Sequence, residues 1–164
     1  MVFEPETFPE NAQLKEWFSW RATAVTEHQQ TELINKLGDE IVMRAHFLAY
    51  IKLSRPAVRL PDGRARIEAG TQMTYFTLTS KEQQVFYPVF TDVHEMEAWT
   101  QVKENDPMTV VVSFDDFAPI LHTNPGMSGI VINPFSDSFP LLKSTIMAWT
   151  EQKKKIIEDA KEKQ

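Results

Sequence analysis

The segment Met127–Leu142, MSGIVINPFSDSFPLL, decides the fold. Gly129-Ile130-Val131-Ile132 is apolar at successive positions, the pattern of a strand covered on both faces. Proline cannot donate to a ladder, so Pro134 ends pairing where the chain leaves the sheet. Asn133, confined to extended conformations by the proline after it, is placed to bond the turn's backbone with its side chain. Ser136, Asp137 or Ser138 then caps a last helix, in which Phe139, Leu142, Ile146 and Trp149 form the core face. The expectation is a strand-to-helix turn.

Downstream, TEQKKKIIEDAKEKQ (residues 150–164) has no continuous apolar face, and Ile156 and Ile157 are its only large apolar residues. It reads as a projecting charged helix. Glu151–Lys155 and Asp159–Lys163 are i,i+4 pairs worth about 0.2–0.5 kcal/mol each. A homo-oligomer, if one forms, is expected through this C-terminal helix.

Upstream, MTVVVS is a short strand, and FDDFAPILH a short helix opened by Asp115 or Asp116. MTYFTLT and QVFYPVF, separated by the polar SKEQ, give a hairpin signal. Pro88 marks its strand as an edge there, or as close to ending. Thr91 or Asp92 caps the helix that follows, with Val93, Met96 and Trp99 on one face. SRPAVRLPDGRARIEAG is a loop with a Pro-Asp-Gly turn, and HFLAYIKL (46–53) is a strand. Before it, Thr26 and Gln29 match a capping box. Leu33, Leu37 and Ile41, joined by Ile34 and Ala45, give a helix ending near Arg44, in which Gly38 costs about 1 kcal/mol against alanine. Leu14, Trp17 and Phe18 give an earlier helix, after a loose start over residues 1–9.

The fold class is therefore α+β in a single domain spanning 1–164. Two N-terminal helices precede a mixed β-sheet of about five short strands with helices packed on it, and a long C-terminal helix closes the chain.

At 164 residues the chain suits one domain with a substantial core. A net charge of −6 argues against nucleic acid or an anionic membrane as partner. The acid is concentrated: seven carboxylates and one lysine lie between Asp92 and Asp116, which leaves the rest of the chain formally neutral. The absence of cysteine removes thiol nucleophiles, disulfides and thiolate metal sites. The start MVFEPETFPE lacks the basic-then-apolar character of a signal peptide, and no run approaches the ~18 apolar residues of a membrane helix. A cytoplasmic location is expected.

With Pro88-Val89-Phe90-Thr91 leading into a helix near Trp99, and Gly129 to Phe135 followed by a closing helix, the chain resembles the SseB family, named for an enhanced-serine-sensitivity phenotype. The resemblance covers Val85 to Ile146. It implies a bacterial cytoplasmic α+β domain, and it supplies no catalytic residues.

Chemistry-bearing patterns are few. The four histidines fall in different elements, and His94–Glu97 (HEME) has no second histidine at ligand spacing. Gly126–Gly129 (GMSG) puts its serine before a strand, the reverse of a nucleophile elbow. Five glycines give neither a phosphate loop nor a dinucleotide fingerprint. No catalytic residue, metal or cofactor is assigned. Two sets of residues stand out as candidate binding groups. Thr91, Asp92, Asp115 and Asn133 fall at predicted strand ends, where open α/β sheets place ligands. Arg55, Arg59, Arg64 and Arg66 are four of the six arginines, gathered in one loop, suited to an anionic ligand or a partner's acidic face. Two functions follow: a non-catalytic binding or protein-interaction module, which is favoured, and a small-ligand receptor or enzyme with a carboxylate site at the strand ends. The partner is a protein or small molecule of unknown identity.

Overall fold

The computed structural model describes residues 2–3, 8–21, 23–24 and 26–163. The elements run β1 (Val2–Phe3), α1 (Ala12–Trp20), α2 (Glu27–Met43), β2 (His46–Leu53), β3 (Val58–Arg59), β4 (Ala65–Arg66), β5 (Met73–Tyr75), β6 (Leu78–Thr79) and β7 (Val85–Val89). After β7 come α3 (Val93–Glu97), a 3-10 helix (Gln101–Asn105), β8 (Met108–Ser113), α4 (Phe114–His122), β9 (Gly129–Ile132), β10 (Phe139–Leu142) and α5 (Lys143–Glu162). This is an α+β domain with a long C-terminal helix. Of the loose start expected over 1–9, residues 1 and 4–7 lie outside the described residues, while Val2–Phe3 pairs with β4.

The strands form three sheets, ordered β1-β4-β3, β10-β9-β7-β6 and β5-β2-β8. Backbone bonds of 2.8 Å in both directions between Leu48 and Phe90 join the second sheet to the third. The four-stranded sheet is mixed: β7 and β9 run parallel and their neighbours antiparallel.

Strand β2 occupies the middle of its sheet, and alternation gives its two faces different cores. Phe47, Ala49 and Ile51 join Leu14 and Phe18 of α1, Leu33, Leu37 and Ile41 of α2, Phe117 of α4 and Ile146 of α5 in the main core. Leu48 and Tyr50 face the other way, into a smaller cluster with Phe90, Met96, Trp99 and Val102. Thr26 and Gln29 make the expected capping box at the start of α2. Ile34 does not join the core face; it is exposed. Gly38 serves a contact, since a Cβ there would lie 3.3 Å from the ring of Trp149, which rests on α2.

Of four sequence expectations about strands and caps, three change. The region after Pro134 is a hairpin, not a strand-to-helix turn: Phe139–Leu142 pairs antiparallel with Ile132–Gly129, and α5 starts only at Lys143. The helical spacing of residues 139, 142, 146 and 149 bridges a strand and a helix. Strand alternation consequently buries Leu141 and exposes Leu142. Phe135 is half exposed, its ring 6.3 Å from that of Trp99.

Second, the expectation for Pro88 holds: β7 ends at Val89, one residue after it, although the strand has neighbours on both sides along most of its length. Ser128 N–H donates to the Val85 carbonyl and Asn133 N–H to that of Val89, so the odd positions of β7 face β9. Pro88 faces the opposite side, between the end of the β6 pairing and the Leu48–Phe90 bridge, where no donor is needed. Third, MTYFTLT is divided between two sheets: β5 pairs with β2, and only β6 forms the hairpin with β7. The arginine-rich segment likewise folds into the small hairpin of β3 and β4. Fourth, α4 is capped by Ser113, and Asp116 accepts its N–H at 2.8 Å; Asp115 is not the cap.

From Glu151 to Lys163 the C-terminal tail is exposed except at Lys153, whose ammonium donates to the Val42 carbonyl at 3.0 Å and to Asp115 Oδ1 at 2.9 Å. Glu151 pairs with Lys154 rather than Lys155.

Candidate functional site

The sequence candidates separate into three places. Thr91, Asp92 and Asn133 come together at the end of β7 and β9. Both Thr91 and Asn133 are fully buried. Asn133 Oδ1 accepts the Thr91 backbone N–H at 3.0 Å. Its Nδ2 donates to Thr91 Oγ1 at 3.0 Å and to Asp137 Oδ2 at 2.9 Å. Thr91 Oγ1 in turn donates to Asp92 at 2.9 Å. The Asn133 backbone is left-handed (φ 50°), against the extended conformation expected before proline. Its carbonyl accepts the N–H groups of Ser136 and Ser138, and its side chain bridges to Thr91, so surrounding bonds hold it there.

Three residues of the N-terminal region and α3, none of them among the candidate binding groups read from the sequence, complete this knot. Asn11 Nδ2 donates to the carbonyls of His46 and Thr91 at 2.6 and 2.7 Å, tying α1 to two sheets. Lys15 lies 2.8 Å from Asp92 and 3.6 Å from Glu95. Glu95 accepts from Ser136 at 2.6 Å and gives its N–H to Asp92 at 3.0 Å. Burial pushes the Asp92 carboxyl up, but hydrogen bonds from Lys15, the Glu95 N–H and Thr91 outweigh it and hold the group below the ordinary aspartate range. Lys15 is raised, first by its hydrogen bond to Asp92, against partial burial. Among the described residues no buried side-chain polar atom lacks a partner, and the buried polar atoms of the knot bond chiefly to one another.

Asp115 lies apart, paired with Lys153 across α4 and α5. His94 and Glu97 are exposed on α3, and among the described residues no group of three acidic, histidine or cysteine side chains could hold a metal.

The arginines divide as well. Arg64 pairs with Asp62 at 2.6 Å across the turn; the Arg64 backbone N–H first, and then this side-chain bond, pull the Asp62 carboxyl down. Arg66 is exposed on β4. Arg55 and Arg59, with Lys52 from the end of β2, line a groove of about 580 Å³ whose far wall is Asn105–Met108. Three cations there face one carboxylate, Asp106. Lys52 was invisible as a site residue because it lies in a strand, where alternation turns it outward beside the arginine loop. No helix among the described residues is long and apolar enough to cross a membrane.

In comparison with known proteins, the family model described as SseB protein N-terminal domain matches residues 20–148. No curated protein and no solved structure matches the chain.

Proposed function

This chain belongs to the SseB family, and from that premise we propose that it is a non-catalytic protein-interaction module of the bacterial cytoplasm whose basic groove takes an acidic partner. One observation carries the reading. Lys52, Arg55 and Arg59 line one groove against Asp106 alone, while Asp92, Glu95, Asp115 and Asp116 are engaged by Lys15, Lys153 and Ser113. Four of the seven carboxylates of the acidic band are therefore engaged elsewhere in the fold, and the groove keeps an excess of positive charge in an acidic protein. Guanidinium groups so placed favour carboxylate partners and speed their encounter.

A catalytic or small-ligand role at the strand ends has less support, because Thr91, Asp92 and Asn133 spend their polar atoms on one another. The test is a pull-down from bacterial lysate with the wild type and with Arg55→Gln/Arg59→Gln at two salt concentrations. The expected result is a captured protein lost in the variant and weakened by salt. Identical profiles for the two proteins at both concentrations would end this reading.

A further inference from the structure

We infer that β8 is a docking edge on which an extended acidic segment of a partner protein adds as a further strand, with its carboxylates in the adjoining groove of Lys52, Arg55 and Arg59. This rests on the basic-groove reading above and specifies the partner's form.

Strand β8 is the outer strand of the β5-β2-β8 sheet. The direction of its backbone groups follows from its neighbour β2. Leu48 exchanges both its bonds with Phe90, and the Tyr50 carbonyl accepts from Phe76, both on the side of β2 away from β8. Leu48 pairs with Val111 and Tyr50 with Thr109 in the antiparallel register. These are therefore the non-hydrogen-bonded pairs, in which the two residues point their N–H and C=O groups away from each other. Thr109 and Val111 accordingly present four backbone groups at the outer edge, and none of the four has a partner among the described residues. Ser113, next in phase, gives its N–H to Asp116.

Edges of this kind are commonly blocked by a charge, a proline or shortness. β3 and β6 have two residues each, and β10 carries Pro140. β8 is six residues long, MTVVVS, with neither charge nor proline, and Val111 on it is 38% exposed.

Two hollows flank the open edge. Near its middle, Val111 lines one of about 540 Å³ with Phe8, Pro9 and His46. At its start, Met108 and Pro107 line the basic groove. Three residues of strand separate them, about 10 Å. An added strand takes its affinity from main-chain bonds and its specificity from side-chain pockets at such spacing. The segment that fits has an apolar side chain for the Val111 hollow and glutamate or aspartate about three positions away.

The probe is an acetylated, amidated peptide with two glutamates at each end of a Val-Thr-Val-Thr-Val centre, so that either strand direction is offered. Its binding is followed by fluorescence anisotropy at two salt concentrations. Val111→Pro removes an outward N–H and no bond to β2, so the variant is expected to melt as the wild type does. We expect it to bind roughly tenfold more weakly at both salt concentrations. A peptide N-methylated at alternate residues should lose a similar factor on wild-type protein, and decides the matter alone if Val111→Pro misfolds. Arg55→Gln/Arg59→Gln should weaken binding chiefly at low salt. Undiminished binding of the N-methylated peptide, with the arginine variant still weakened, overturns strand addition and leaves the groove reading intact. Unchanged binding by the arginine variant overturns the groove reading and with it the acidic partner. No binding by wild type, or a dimer in light scattering that Val111→Pro abolishes, overturns the docking proposal; the dimer would assign the edge to a second copy of this chain.

Discussion

Asn133 Oδ1 accepts the backbone N–H of Thr91 at 3.0 Å, and both residues are fully buried. Replacing Asn133 with alanine leaves that N–H without its partner, removes the bond to the Thr91 hydroxyl, which keeps Asp92, and retains a left-handed backbone. A loss of about 2–3 kcal/mol is expected in urea unfolding. Asn133→Gly loses the same bonds without the conformational cost, and is expected to be about 1 kcal/mol less damaging. Equal stability of the wild type and both variants would show that the knot contributes nothing.

The Lys15–Asp92 pair predicts a pH dependence of defined sign. The Asp92 carboxyl is lowered in the folded state. Its stabilisation is thus present above the unfolded value near ~3.9 and disappears as pH falls through the lower folded value. Lys15 is raised, so its contribution is present below ~10.4 and is lost as pH rises through the folded value. Asp92→Asn should be less stable than wild type at pH 7, and the gap should narrow below about pH 4. Midpoints that differ equally at pH 3 and pH 7 would assign the loss to the cap alone.

Gly129 pairs with Leu142 on one side and Phe86 on the other, and a Cβ there would overlap the Leu141 carbonyl oxygen. Because the obstacle is backbone, Gly129→Ala should cost about 3 kcal/mol. Gly126→Ala, whose Cβ would come no nearer than 3.6 Å to Asn124 Oδ1, is the control and should stay within about 0.5 kcal/mol. Similar melting temperatures for the two variants would mean that β10 yields.

Lys153 divides the C-terminal helix into a docked part and an exposed one. Removing residues 155–164 should leave the melting temperature nearly unchanged. Lys153→Met, which breaks the bonds to Val42 and Asp115, should cost roughly 1 kcal/mol, discounted because Asp115 is largely exposed. A large fall on truncation would show that Ile156 and Ile157 stabilise the fold.

Elements whose period and caps agree were legible in the sequence: α2 with its Thr26–Gln29 box, β2 over His46–Leu53, β9 over Gly129–Ile132 and the Asp92 cap. Residues 139–149 were not, because a four-residue strand running into a helix leaves an apolar spacing that fits one helix throughout. The division of MTYFTLT between sheets depends on which distant strands its halves meet, which no local pattern records. Of the candidate site, Thr91, Asp92 and Asn133 were visible from their places beside strand ends. Asn11 and Lys15 were not, since they reach the knot from a helix 80 residues before Thr91, or nearly so. The open edge of β8 was hidden for the same reason: MTVVVS does not say on which side its partner lies.

The knot around Asn133 has a consequence for the time course of folding. Thr91 and Asn133 are 42 residues apart, and the chain between them passes through α3, β8 and α4 before β9 can lie parallel to β7. Such a contact follows the costly closure of a long crossover, whereas the Thr26–Gln29 box needs only its own turn. Asn133 substitutions should therefore leave the refolding rate nearly unchanged and speed unfolding by almost the whole of their effect. The residue that closes the sheet is then a latch on the native state's lifetime, set after the transition state has passed.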